Sequence, residues 1–365
     1  MEIQRISSKD YVSAWNLGGL VVTQMALKAA IELNVFNIIA NSGPGAHLTS
    51  KEIVSQISNT NPNAAAANLK RILRVLSVHS LLSVSQRSSS SGDKTMLEEA
   101  YGLTKETLCL VPNEDGVSLA PYIMLASDLD VVKCYSMLKD TVLEPGSLLF
   151  KKAHGMSAFE HMFDKPDLTN LFNEAIGQST IINFEDVLKV YKGFEEVKEL
   201  MDVGGGNGTT IAKVVASYPH IHGINFDLPN VIAQATAKYQ AGVKYVGGDM
   251  FKLIPNAQSI MLKWVLHNWD DDLCKKILER CWEALPEIGK VIVVEFALPE
   301  ILENTTDLKK IVALDIMMMS IFSSRQRKIN EFDGLSKAAG FVETKIFPIS
   351  HGCYVMEFHK VKKNR

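Results

Sequence analysis

Two hydrophobic textures divide the chain. From Val22 to about Ser85, apolar residues recur three and four apart in MALKAAIELNVFNII, SKEIVSQI and AAAANLKRILRVLSVHSLL, the period of amphipathic helices. SVSQRSSSSGDKTMLEEAYGL follows, two short apolar pieces around a polar Ser/Gly tract, and predicts a hairpin with a solvated tip. Short helices ending in such a hairpin predict a winged-helix module. Helical spacing continues from Ala120 to about Tyr191, through AHGMSAFEHMFDKPDLTNLFNEAI.

After Gly193 the period changes. Five β-rich runs (KELMDV, HGINFD, VKYVGGD, QSIMLKWVLH and KVIVVEF) alternate with the helical patterns TTIAKVVASY, NVIAQATAKY and DLCKKILERCWEAL. That alternation predicts a parallel sheet with crossover helices. The expected fold is α/β, with a winged-helix-like domain over residues 1–115 and a Rossmann-like domain over 116–365. A chain of 365 residues is long enough for two cores.

Composition narrows the partners. A net charge of −3 argues against a protein that holds nucleic acid or acidic lipid by charge. The third helix of the winged-helix module carries only Lys70, Arg71 and Arg74 among apolar residues, which favours packing or dimerisation over DNA. A DNA-binding regulator with a vestigial ligand domain is the competing reading from another class. MEIQRISSKDYVSAW lacks the apolar centre of a signal peptide, and no apolar run reaches the roughly 18 residues needed to cross a bilayer, so a cytoplasmic protein is expected. Five cysteines without a CxxC pair suggest neither a disulfide framework nor a zinc site. His220 with His222, and His351 with His359, lack acids or cysteines at ligand spacing, so no metal is expected.

In an open parallel sheet, ligands bind beyond the carboxyl ends of the strands. The five strand candidates end at Asp202, Asp227, Asp249, His267 and Glu295, each an ionisable side chain. For one strand, an acid capping the next helix explains the residue equally well; five in register weaken that explanation. DVGGGNGTT offers Gly204, Gly206 and Gly208 for a tight turn at a helix N-terminus. A dinucleotide fingerprint requires glycine where Thr209 stands, which disfavours an NAD enzyme. Asp227, 19 residues after Gly208, is placed to accept from both ribose hydroxyls, and Asp249 from an adenine amino group. An adenosyl cofactor without phosphates is favoured, and S-adenosyl-L-methionine is the common one.

LMDVGGGNGTT, GINFDLPNVI, VGGDMF, LKWVLHNWDDD, KVIVVEFALPE and YVMEFHK, in that order, resemble the plant small-molecule O-methyltransferases of the caffeic acid type. MALKAAIELNVFNII, LKRILRVL, EDGVSLAPYIML and ETKIFPISHG are similar to the branch of that family acting on benzylisoquinoline alkaloids. The resemblance implies transfer of a methyl group to a phenolic hydroxyl, alkaloid, lignan, flavonoid or phenylpropanoid, by a homodimer or by a heterodimer with a paralogue. It implies His267 as the base, Glu295 as the carboxylate behind it, and Gly204, Gly206, Asp227, Leu228, Asp249, Met250 and Lys263 at the cofactor. Without the resemblance, a structural histidine and a capping or solvated lysine explain His267 and Lys263 as well. Strand alternation places Lys263, Val265 and His267 on one face, and Asp270, Asp271 and Asp272 read as charges at a helix start. Met124, Met156, Met162 and MMM at 317–319 fit either a substrate wall or the core.

The family carries Gly-Gly-Lys-Glu-Arg-Thr before its last helix, with the glutamate as a second carboxylate against the histidine. Here the stretch is SSRQRKINEF, so Gln326 stands in the glutamate's place. An amide holds an imidazole but does not offset its charge.

Overall fold

The computed structural model describes residues 6–88, 97–235 and 242–361, apart from the Phe163 side chain. Two compact units divide it, Met1–Asp128 and Leu129–Arg365. The expected hairpin tip at residues 89–96, and the end of the helix predicted in NVIAQATAKY at 236–241, lie outside the described residues.

The first unit packs helices Leu20–Glu32, Val35–Asn41, Ser50–Val54 and Pro62–Val78 on a small antiparallel sheet. Its strands are β1 (His47–Thr49), β2 (Leu82–Ser88) and β3 (Leu97–Leu103), in the order β1-β3-β2. Pro62 at the first turn and the Asn61 side chain, which accepts from Ala64 N at 3.2 Å, start the longest of these helices. Its Ala66, Leu69, Leu73 and Leu76 repeat at three and four and are buried. Each buried leucine contributes about 1.5–3 kcal/mol. The first helix, Ser8–Leu17, is capped reciprocally by Ser7 and Asp10 yet buries no side chain, and Trp15 is 84 % exposed.

The second unit is built on β4 (Glu199–Val203), β5 (His222–Asp227), β6 (Val243–Gly247), β7 (Ser259–Lys263) and β8 (Lys290–Leu298). These run parallel in the order β6-β5-β4-β7-β8. The two-residue β9 (Arg327–Lys328) runs alongside the end of β8. β10 (Glu343–Pro348) is the outer strand, and the later β11 (Cys353–His359) inserts between it and β8, antiparallel to both. Both faces are covered, so β8 reads as a nearly continuous apolar run with Ile292 and Val293 in opposite core layers. One layer carries Ile277, Leu278 and Phe332; the other carries Phe184, Val187 and Ile211.

The strand ends differ from the sequence expectation in four places, the first being β4, which runs one residue past Asp202 to Val203. QSIMLKWVLH is strand only over Ser259–Lys263, because Trp264 adopts φ +55° and turns the chain out of the sheet. His267 therefore sits on a short 3-10 turn, Leu266–Asn268, and the alternation argument that aligned it with Lys263 does not apply. β6 stops at Gly247, two residues before Asp249. β8 runs on to Leu298, so Glu295 lies within the strand.

Candidate active site

The turn after β4 is made by glycines that do different work. Gly204, Gly206 and Gly208 have φ of +72°, +58° and +84°, a region that side-chain-bearing residues rarely occupy. A Cβ on Gly204 would stand 2.9 Å from Val265 Cγ2, so that glycine lets the turn lie against the segment leading to His267. A Cβ on Gly206 would meet nothing within 4 Å; this residue faces open space. Asn225, fully buried on β5, donates to Gly206 O at 2.9 Å and fixes the turn from below. Gly208 is the N-cap of helix Thr209–Ser217.

Carboxylates surround that turn. Asp227 accepts from Gly206 N at 2.8 Å and Leu228 N at 2.7 Å, while burial pushes its carboxyl above the usual carboxylate range. Leu228 itself is 46 % exposed. Asp249 accepts from Phe251 N at 2.9 Å and meets Lys252 at 3.2 Å, and the backbone bond holds its carboxyl low. Met250 packs against the core of the sheet. Asp202, one residue before the end of β4, is 1 % exposed; neither of its oxygens makes a well-aligned hydrogen bond, and the Ile211 main-chain N–H offsets its burial only in small part.

Burial pushes Asp202 up to about 7 and pulls Lys263 down to about 7, each opposed by attraction to the other. Lys263 donates to Thr180 Oγ1 at 2.7 Å and lies 3.3 Å from the Trp264 ring centroid. Its ammonium also feels Glu295.

An open glycine, a ribose-type carboxylate at the second strand and a buried carboxylate with vacant acceptors fit an adenosyl ligand that carries its own cation. The donor set fits S-adenosyl-L-methionine.

At the neighbouring strand ends, His267, Glu295 and Gln326 come together. His267 is 7 % exposed, and Glu295 and Gln326 are more deeply buried. Its Nδ1 lies 3.0 Å from Glu295 Oε2, at ion-pair distance but without hydrogen-bond alignment. The His267 main-chain N–H donates to Glu295 Oε1 at 3.3 Å. Gln326 presents Nε2 to the same Nδ1 at 3.3 Å, leaving its buried Oε1 unpartnered. One ring nitrogen cannot donate to the carboxylate and accept from the amide together. With its proton on Nδ1, facing Glu295, the ring leaves Nε2 bare to act as a base. With the amide donating to Nδ1, the proton is on Nε2 and basicity there is lost.

The turn that carries His267 is gripped by its carbonyls. Arg327, fully buried, donates to Leu266 O at 2.8 Å, Trp269 O at 2.7 Å and Asp271 Oδ1 at 2.8 Å. Ser324 Oγ donates to Trp269 O at 2.7 Å, and Cys274 Sγ to Leu266 O at 3.1 Å. Asp270 caps helix Asp271–Ala284 by accepting from Leu273 N at 2.8 Å. Asp271 is more than a helix-start charge, because it anchors Arg327 and, at 3.0 Å, Arg325.

Sequence reasoning therefore located two groups, Gly204, Gly206, Asp227 and Leu228 in one and His267, Glu295 and Gln326 in the other. Asp249 and Lys263 have their own partners. It named Asp202 only as a strand end and missed Thr180, Asn225 and Arg327. The signal for Arg327 was its place beside Gln326.

The sheet order, the glycine turn and the acids at the strand ends define an S-adenosylmethionine-dependent methyltransferase. Residues 135–342 match the O-methyltransferase domain family, and residues 15–112 match the O-methyltransferase dimerisation domain. The chain is 49% identical over 353 residues to (S)-scoulerine 9-O-methyltransferase of Coptis japonica, covering 96% of this chain and 90% of that protein. It is 42% identical to desmethyl-yatein O-methyltransferase of Sinopodophyllum hexandrum, covering 96% and 97% of the two chains. Human N-acetylserotonin methyltransferase, solved with S-adenosylmethionine, shares the fold with a TM-score of 0.83 at 21% identity, over 99% of this chain and 100% of that one. The chain belongs to the plant O-methyltransferase family, enzymes that use S-adenosyl-L-methionine. No described helix is long and apolar enough to cross a membrane.

Proposed function

We propose that this enzyme methylates a phenolic hydroxyl of a plant specialised metabolite, a benzylisoquinoline-type alkaloid, with His267 as general base. The observation that carries the reading is the His267–Glu295 approach at 3.0 Å, which supports a ring with its proton on Nδ1 and Nε2 free. A phenol has a pKa of about 10 and needs a base at neutral pH. His267 takes the hydroxyl proton as the methyl group is transferred, and Glu295 stabilises the imidazolium that forms. Bound S-adenosyl-L-methionine supplies the activated methyl group. Gly204, Gly206, Asp202, Asp227, Leu228, Asp249, Met250 and Lys263 would hold it, Asp227 offering its carboxylate to ribose hydroxyls and Asp202 its charge to a cation.

The alkaloid scaffold rests on the likeness to the Coptis protein; the Sinopodophyllum protein's name favours a lignan as the second candidate. Residues 1–115 act as the dimerisation domain and 116–365 as the catalytic one. The apolar side chains that helix Ser8–Leu17 leaves in solvent support a homodimer, with a paralogue as the alternative partner. The enzyme works in the cytoplasm.

The test is a panel of catechol and guaiacyl alkaloids and lignans, read by the mass shift of one methyl group, with wild type and His267→Ala. The variant is expected to lose about 10²–10⁴ in kcat/KM while binding S-adenosylmethionine normally. A folded variant keeping more than a tenth of wild-type turnover overturns the assignment.

A further inference from the structure

Away from the strand ends, three helices of the second unit bring one acid and two imidazoles together. Asp130 comes from helix Leu129–Tyr135, His154 ends helix Leu149–His154, and His161 lies in helix Ala158–Asp164. His161 Nε2 is 2.8 Å from Asp130 Oδ2 and His154 Nδ1 is 3.8 Å from Oδ1. One ligand atom from each residue falls within 4.8 Å of the other two. Both imidazoles are at least nine-tenths buried. Their rings lie 4.7 Å apart, with Phe150 packed against both at 4.5 Å and 5.3 Å.

The hydrogen bonding prepares His154 for a cation. Its Nε2 lies 2.9 Å from the main-chain carbonyl of Asp130. A carbonyl only accepts, so Nε2 carries the hydrogen and, in the neutral ring, Nδ1 turns a lone pair toward the carboxylate. At 3.8 Å the two do not hydrogen-bond, and lone pair faces negative charge. A cation between them removes that opposition. A histidine whose second nitrogen donates to a main-chain carbonyl is also how metal-binding imidazoles are oriented.

We propose that Asp130, His154 and His161 form a binding site for a divalent cation of the zinc and cobalt type, separate from the strand-end site. The ligands are His154 Nδ1, His161 Nε2 and a carboxylate oxygen of Asp130, with water completing the shell. Bonds of about 2.0–2.1 Å in a tetrahedral site separate ligand atoms by about 3.3 Å. His161 Nε2 is 2.8 Å from Oδ2 and His154 Nδ1 is 3.8 Å from Oδ1, the two oxygens of one carboxylate, and one ligand atom from each residue lies within 4.8 Å of the other two, so a rotation of the carboxylate and inward shifts of the rings close the site.

Two cations compete for the same place. Lys165 Nζ lies 2.6 Å from Asp130 Oδ2, and its side chain is 47 % exposed, so it can swing into solvent. The proton on His161 Nε2, which faces the carboxylate, leaves as the ion arrives. Two further polar neighbours, Lys133 on Ala153 O at 2.7 Å and Cys134 Sγ on Asp130 O at 3.3 Å, bond to main chain and stay in place. The helix that carries His161 also carries Phe159, whose ring stacks at 5.8 Å on Trp269, just after the His267 turn. Occupancy therefore stiffens a wall next to that turn, an effect that rests on the proposed role of His267; the binding itself does not.

The experiment is titration of the chelator-treated, full-length protein with Co²⁺, read by visible absorption, and with Zn²⁺, read by calorimetry. One ion per chain is expected, bound more weakly as pH falls. His161→Ala and His154→Gln each weaken binding at least tenfold, with S-adenosylmethionine binding retained as the check on folding. Lys165→Met removes the competitor and tightens binding about tenfold, a gain that misfolding does not mimic. No stoichiometric binding in either wild type or Lys165→Met overturns the site. So does binding that both histidine substitutions leave unchanged, which places the ion elsewhere. Zn²⁺ that binds at this site without changing KM for the phenol removes the stiffening and leaves the site.

Discussion

Replacing Gln326 by glutamate isolates the electrostatics of the base. The substitution keeps the side-chain shape and puts a carboxylate where the amide lies 3.3 Å from His267 Nδ1. At that distance and an effective dielectric of about 20, a unit charge attracts an imidazolium by about 5 kcal/mol. Repulsion from buried Glu295 and the cost of burying a second carboxylate remove part of this. A net of about 1.4–4 kcal/mol remains, equal to a shift of about one to three pH units.

The sign is fixed by the imidazolium being the favoured form. The acid limb of kcat/KM for Gln326→Glu moves to higher pH, because the neutral ring appears later. The plateau rises, because the same charge stabilises the imidazolium formed as the phenol loses its proton, and because a carboxylate never donates to Nδ1. The assay is kcat/KM between pH 5.5 and 10 with one phenolic substrate, for wild type and Gln326→Glu. An unmoved acid limb and an unchanged plateau in a folded variant would refute the argument, since they mean that the second carboxylate takes up a proton itself.

Gly206→Ala meets no clash but must hold φ +58°, which costs about 1–2 kcal/mol, and its methyl points into open space. A tenfold or greater rise in KM for S-adenosylmethionine with only that small loss in urea unfolding is expected; an unchanged KM argues that the cofactor lies elsewhere. Arg327→Met removes the guanidinium from two main-chain carbonyls and should cost about 2–4 kcal/mol in thermal or chemical unfolding. At a temperature where it is folded, kcat should fall at least tenfold with KM for the cofactor unchanged, and a normal kcat would show that the turn needs no such hold. Asp202, pushed up to about 7 by burial, ionises as pH rises through neutrality. KM for the cationic cofactor should then fall as pH rises in wild type, and in Asp202→Asn, where Lys263 titrates without its carboxylate partner, the fall should be smaller and displaced to lower pH; superimposable profiles in the two would exclude the pairing.

What could be read from the residues was whatever repeats locally. The β-rich runs from KELMDV to KVIVVEF carry their own period, and DVGGGNG needs nothing distant to declare a turn, so the parallel sheet and the glycine turn at its strand ends were legible. His267 was found through its motif, but its placement was not. The alternation that aligned it with Lys263 fails at Trp264, where φ is +55° and the strand has ended. Arg327 escaped because its partners are main-chain carbonyls, which look alike in every sequence. Asp130, His154 and His161 escaped for another reason: they lie 24 and 31 residues apart on three helices, and no spacing rule links them.

The position of β11 has a consequence for shortened forms of this enzyme. β11, the last of the described strands in chain order, is an interior one, and it covers the flank of β8, whose residues are almost all apolar. A product that stops before Cys353, from an early stop codon or a splicing error, leaves β8 with a long, flat and unpaired hydrogen-bonding row, the template on which chains stack into aggregates. Such a fragment keeps the glycine turn, His267, Glu295 and Gln326, yet it is expected in the insoluble fraction rather than as a weakened catalyst.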